Sequence, residues 1–212
     1  YTKQAKLALE SALDFSSSGK YDKIKELVNN LLAADYTLTQ EQIQRIVPKW
    51  FTQKLIALSQ FVGHIRTPVV RHNFGQLAGE LIYRPQAESG NRIGIQLQKL
   101  AISLALIEDK KEIDKAIYDL IKKVAIDTVE GFVFEIVHIF MREKVVGIER
   151  KDFSRMMRLG DSSTSRYLND LLILNVLEMK QVKKDPYDQK WTTVYSLVPE
   201  IKRMYELAEI GL

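Results

Sequence analysis

Along most of this chain hydrophobic residues recur every three to four positions, the spacing of amphipathic helices. Lys3–Phe15 puts Ala5, Ala8, Leu9, Ala12 and Leu13 on one face before Ser16-Ser17-Ser18-Gly19 stops it. Tyr21–Ala34 repeats the pattern with Ile24, Leu27, Val28, Leu31 and Leu32. Thr39 and Gln42 have the spacing of a capping box, opening a helix with Ile43, Ile46 and Val47 that Pro48 kinks or divides. Trp50–Ile65 continues as a strongly apolar helix ending in His64-Ile65-Arg66-Thr67-Pro68. Phe74–Tyr83 reads as a short helix or a strand, and Pro85–Asn91 as a polar loop. Arg92–Ile107 carries apolar residues on more than one face, which predicts the most buried helix of the first half. Glu108-Asp109-Lys110-Lys111 breaks that pattern as a solvated junction, and Ile113, Ala116, Ile117, Leu120, Ile121, Val124 and Ala125 define a further helix to about Asp127.

The pattern then changes. FVFEIVHIFMREK supplies one more apolar helix, and Val145–Ile148 a short strand. In Glu149–Leu174, Phe153, Met156 and Met157 recur at helical spacing, Leu159 and Gly160 close the helix, and Gly160 suits the left-handed residue of a helix end. Asp161, Ser162 and Ser163 can each accept a backbone N–H and start the next helix. That helix turns Thr164, Leu168, Leu171 and Leu172 inward and Ser163, Arg166, Tyr167 and Asp170 outward, with Asn169 near the edge and Asn175 as C-cap. VLEMKQVKK and WTTVYSLV flank the turn-rich Asp185-Pro186-Tyr187-Asp188 and read as a hairpin. Pro199 starts a last helix whose Ile201, Met204, Tyr205, Leu207 and Ala208 pack back on the body.

Helix, Gly turn, helix and hairpin in this order make a helix-turn-helix with a wing, and residues 130–197 resemble the winged-helix superfamily. The expected fold class is mainly α: a helical bundle over 1–127, then a winged helix-turn-helix domain with one β-hairpin and a C-terminal helix over 128–212. No flexible linker marks the boundary at Asp127–Glu130, so the two parts are expected to pack together.

Composition narrows the chemistry. The chain has 212 residues, 46% of them hydrophobic, a net charge of +4 and no cysteine. Disulfides and thiolate chemistry are thereby excluded, and a reducing, cytoplasmic setting without membrane attachment is expected. A mildly basic balance permits nucleic-acid contact without demanding it. His64, His72 and His138 show no metal-ligand spacing, and His138 reads as a partly buried core histidine. No GxxxxGK[ST] phosphate loop occurs and no Ser-His-Asp order is suggested by sequence context, so no catalytic residue is assigned.

If the outer face of the second motif helix enters a DNA groove, Ser163, Arg166 and Tyr167 meet base edges. Arg150, Lys151 and Arg155 on the preceding helix, with Lys183, Lys184 and Lys190 on the wing, then meet phosphates; Lys180 also sits on the hairpin.

Arg66-Thr67-Pro68 after a long apolar helix, then Arg84-Pro85, Glu88 and Asn91-Arg92 heading the next helix, resemble the helical lid of AAA+ ATPases. The minichromosome-maintenance-like group, whose lids end in a winged helix, is the nearest pattern, over about 50–197. The resemblance implies that Arg92 holds the sensor-2 position and contacts a γ-phosphate. The Walker A, Walker B and sensor-1 motifs that precede a lid in that family are not in this sequence. The resemblance therefore implies a C-terminal piece of a longer ATPase, with ATP bound by the parent protein, an ATPase core as partner and no cofactor within this chain; residues 1–48 have no place in it. Three readings stand: this DNA-binding ATPase module; a free-standing winged-helix transcriptional regulator whose helical half dimerises or senses a ligand; and a winged helix that holds only a protein partner.

Overall fold

The computed structural model describes residues 39–72, 74–143, 147–183 and 191–211. The helices expected at Lys3–Phe15 and Tyr21–Ala34 and the turn at Asp185–Asp188 lie outside them. Helix α1 (Gln40–Ile46) opens on the expected capping box: the Thr39 hydroxyl accepts the Gln42 N–H at 3.3 Å, and the Gln42 side chain accepts the Thr39 N–H at 2.8 Å. Pro48 divides the chain there, since Val47 caps α1 and α2 (Lys49–Ile65) begins beyond the proline. The next helices are α3 (Gly90–Ile107) and α4 (Lys115–Ile126). Asp114 caps α4 by accepting the Ile117 N–H at 3.0 Å.

Three expectations for this half are corrected. The most buried helix is α2, with Phe51, Leu58, Phe61 and Val62 inaccessible, whereas α3 buries Ile93, Leu97, Ala101 and Ala105 and leaves Ile95 55% exposed. The cause is position, because α2 lies against α3, α4 and the C-terminal helix at once. Secondly, 74–83 is neither helix nor strand. It is an irregular excursion closed by a single bridge between Arg71 and Leu81, in which Gly75 (φ 81°) and Gly79 (φ 90°) make the turns. Thirdly, the polar loop ends sooner than Asn91, at Ser89, and Gly90 already belongs to α3. Glycine is needed at that end: a Cβ on Gly90 would lie 2.9 Å from the Gln60 backbone, and one on Gly63 2.5 Å from the Glu88 carbonyl oxygen.

The second half runs α5 (Gly131–Glu143), β1 (Ile148–Glu149), α6 (Arg150–Met157), α7 (Asp161–Ile173), β2 (Leu177–Lys183), β3 (Trp191–Leu197) and α8 (Pro199–Leu207). The strands form an antiparallel sheet in the order β1-β3-β2, with Ile148 opposite Tyr195, Leu177 opposite Leu197 and Lys183 opposite Trp191. Between α6 and α7 the left-handed residue is Arg158 (φ 53°), not Gly160, which has φ −63° and precedes α7 as its N-cap. The Leu159 N–H turns back to the Ser154 carbonyl at 3.1 Å, so α6 is already terminated before the glycine is reached. None of Asp161, Ser162 and Ser163 caps α7, because the helix starts at Asp161 itself. Asn175 (φ 55°) does take the left-handed position just after the cap of α7. In α8, Ile201, Met204, Tyr205 and Ala208 are buried as expected, but Leu207 is exposed.

One hydrophobic core runs through both halves, from Phe51 and Tyr118 to Phe153, Leu168 and Tyr205. The Tyr118 hydroxyl donates to the Ala208 carbonyl at 2.7 Å, Phe61 meets Tyr205 edge-on at 5.6 Å, and Lys54 pairs with Glu209 at 2.6 Å. His138 is half-buried, stacked on Phe134 and hydrogen-bonded through Nδ1 to the Tyr205 hydroxyl at 2.7 Å. Among the described residues no helix is long and apolar enough to cross a membrane.

Candidate functional site

Helix α7 carries the residues of interest because its apolar positions bury one side only. Thr164, Leu168 and Leu171 point into the core against α6 and β2, with Leu172 half-buried beside them. This leaves Ser162, Ser163 and Arg166 on the exposed face. Arg166 is largely exposed, with Nε 3.9 Å from the Asp170 carboxylate one turn on. Arg150, at the start of α6, reaches across the turn to α7, where it donates to the Ser165 hydroxyl at 3.0 Å and pairs with Asp161 at 3.1 Å. Lys151 is exposed, and Arg155, 81% exposed, pairs with Asp152 at 3.3 Å.

The far half of α7 is occupied. Tyr167 does not project freely: its hydroxyl donates to Glu130 at 2.8 Å and its ring lies 5.8 Å from that of Phe132. The bond to Glu130 and partial burial push the Tyr167 phenol above its ordinary range. Asp170 is held by Arg71, whose Nε donates to Oδ1 at 3.1 Å and whose Nη2 bonds the same oxygen. Arg71 also donates to the Gly79 carbonyl at 2.9 Å, so one guanidinium fixes the excursion 70–83 against α7. Between these elements lies a cleft of about 450 Å³, lined by Ile65, Pro68, Glu130, Arg166, Tyr167 and Leu171 among others.

On the hairpin, Lys183 and Lys180 are exposed. Lys183 sits 5.2 Å from the centroid of the Trp191 ring directly across the ladder, and Lys180 pairs with Glu178 at 2.6 Å. Lys184 and Lys190 lie outside the described residues. The structure therefore brings Arg150, Ser163 and Arg166 together on α6 and α7, and places Lys183 on the hairpin that follows. Tyr167 it turns aside to Glu130.

Arg92 is exposed in the first turn of α3. Glu88 is taken by Arg66 instead, through a two-pronged pair of 2.6 and 2.7 Å. Those bonds hold the Glu88 carboxyl below its ordinary range, with a smaller contribution from the charge of Arg92. Thr67 locks the same corner, donating to the Gly63 carbonyl at 2.8 Å and accepting the Glu88 N–H at 3.0 Å. Arg66 stands in the lid pattern of the sequence without being paired to Glu88, and Arg71 and Glu130 have no role there. Their partners lie 22, 99 and 37 residues away, beyond any local spacing. Among the described residues no cluster of His, Asp or Glu is arranged to hold a metal ion. No family model, curated protein or solved structure matches this chain.

Proposed function

We propose that residues 131–197 form a winged helix that binds duplex DNA through the N-terminal half of α7 and the β2–β3 hairpin. The observation that carries this reading is the element order: helix, short strand, helix, turn, helix and hairpin, with the short strand joining the edge of the hairpin sheet. In such an arrangement Arg166 and Ser163 face base edges, while Arg150, Lys151, Arg155, Lys183 and the two lysines near the hairpin tip meet phosphates. The cation-rich helix pair supports it: from Arg150 to Ile173 five arginines and lysines stand against three aspartates. Titration of a labelled duplex at low salt tests it. Lys183→Ala with Lys184→Ala should weaken binding to all sequences and flatten the salt slope by up to about two units, about 0.9 for each lost contact. Arg166→Ala should cost about 1–3 kcal/mol on a preferred site and little elsewhere. Absence of binding at high micromolar protein would leave the protein-partner reading in front.

The lid reading is favoured by a separate observation. Because Arg66 occupies Glu88, Arg92 is left exposed at the head of α3, as a residue reaching toward a phosphate held by another domain has to be. A helix N-terminus already favours negative charge, and a bound phosphate would offset the unfavourable placement of a cation there. In a parent ATPase, Arg92→Ala should lower turnover far more than nucleotide affinity. Unchanged turnover would remove the lid reading and favour the free-standing regulator.

A further inference from the structure

Helix α3 is apolar on two sides, and the described residues cover one of them. Ile93, Leu97, Ala101 and Ala105 are buried where the helix lies against α2 and α4. Ile95, Ile102 and Leu106 stand on another side, at i, i+7 and i+11, and so form one line along the helix. Ile95 is 55% exposed, and Ile102 and Leu106 are half-buried. At Leu106 the line opens into a groove of about 860 Å³, lined also by Gln42, Arg45 and Ile46 of α1 and by 109–112. The free side of a bundle helix normally carries polar residues, and an apolar line along it marks a contact surface.

We infer that this line is the seat of residues 21–34 of the same chain, wound as an amphipathic helix along α3. Three observations select that occupant. Its sequence repeats Ile24, Leu27, Val28 and Leu31 at i, i+3, i+4 and i+7, the spacing that lays one apolar stripe against another. Only residues 35–38 separate it from Thr39, the cap of α1, and α1 itself lines the groove into which the stripe on α3 opens, so the chain delivers the run to that end of α3. Lengths also agree: fourteen residues of helix extend about 21 Å, and Ile95 to Leu106 spans about 17 Å. The earlier run Lys3–Phe15 offers mainly alanines on its apolar face and has less to bury. A segment with no place in the lid pattern thereby becomes a further helix of the bundle, one that braces the helix headed by Arg92. This does not depend on the DNA-binding reading.

Hydrogen exchange followed by mass spectrometry on the full chain tests it. Residues 21–34 are expected to be protected, and equally so after dilution of about tenfold. Ile95 is mostly outside the core, so Ile95→Asp leaves folding intact. It should speed exchange in 21–34 about tenfold or more, the effect of charging one aliphatic contact, while 161–173 in α7 stays unchanged. Leu31→Asp should do the same to 95–106 from the other partner, and Ala33→Asp, on the opposite side of the run, should change neither. Absence of protection in 21–34 of the wild type overturns the inference, as does exchange that Ile95→Asp and Leu31→Asp leave unaltered in the facing partner. Protection that falls on dilution also overturns it and assigns the stripe to a second copy of the chain.

Discussion

The continuity of the core makes a strong demand on how the protein unfolds. Tyr118 is inaccessible, edge-on to Trp50 and Phe51 at 6.0 Å each, and its hydroxyl is the donor to the Ala208 carbonyl at the end of α8. Burial raises its phenol pKa far above the ordinary value, so the hydroxyl stays a donor at any working pH. Tyr118→Phe keeps the ring and deletes only the donor. A buried carbonyl left without its partner costs about 1–3 kcal/mol. With a urea slope of about 2 kcal/mol/M, the midpoint should fall by about 0.5–1.5 M. The chain has two tryptophans, one in each half: Trp50 on α2 and Trp191 at the start of β3. Single-tryptophan variants therefore report the halves separately. If one core serves both, the two signals share a midpoint in the wild-type background and move together in Tyr118→Phe. A shift confined to Trp50, or two midpoints from the outset, refutes the reasoning and makes the halves independent folding units.

Two further predictions rest on the corner between α2 and α3. The Arg66–Glu88 pair depresses the Glu88 pKa in the folded state, so its contribution is present above the unfolded value of 4.5 and is lost as pH falls through the lower folded value. The stability gap between wild type and Glu88→Gln should therefore be largest near neutrality and close on acidification, read by denaturant midpoints from pH 7 to 3; a gap that is flat or widens toward acid refutes it. Gly63→Ala should destabilise by about 1–3 kcal/mol, because its new methyl group meets the Glu88 backbone carbonyl, which cannot swing away as a side-chain tip could; thermal melting checks this, and an unchanged Tm would show that the α2–α3 approach is looser than described.

What the sequence disclosed, it disclosed through short-range rules. The Thr39–Gln42 box, the break at Pro48, the Asn175 helix end and the β2–β3 hairpin all depend on residues a few positions apart, and each is present. The helical character of the described first half and the inward face of α7 follow from periodicity in the same way. The misses are of another kind. Apolar coverage of α3 suggested deep burial, but periodicity does not reveal which helix has neighbours on several sides, and that is α2. Gly160 was the obvious left-handed residue, yet a 5-residue reach from Leu159 back to Ser154 ended α6 sooner and gave the strained conformation to Arg158. Tyr167 looks outward on a helical wheel. What turns it aside is Glu130, from a segment that no local rule connects to α7.

The aspartates on α6 and α7 are the strongest sequence argument against contact with a polyanion, and their pairing changes its weight. Asp161 is held by Arg150, Asp152 by Arg155, and Asp170 lies between Arg71 and Arg166. An unpaired carboxylate facing phosphate would repel it across a few ångströms. A carboxylate already bound to a guanidinium presents a nearly neutral pair at longer range, and at Asp170 two guanidiniums flank one carboxylate, leaving net positive charge. Each arginine has five N–H donors; Arg71 commits three and the others one or two, so donors remain for a phosphate or a base. The aspartates also restrict the arginine rotamers, which lowers the ordering cost of a later contact. They subtract from long-range attraction and thus from the salt-dependent part of affinity, while leaving the short-range donors in place. Under the DNA-binding reading proposed above, that balance suits a binder whose arginines select a site more than one that holds any duplex by charge alone, and Arg166, 70% exposed with Asp170 beside it, is the residue whose replacement tests such selection.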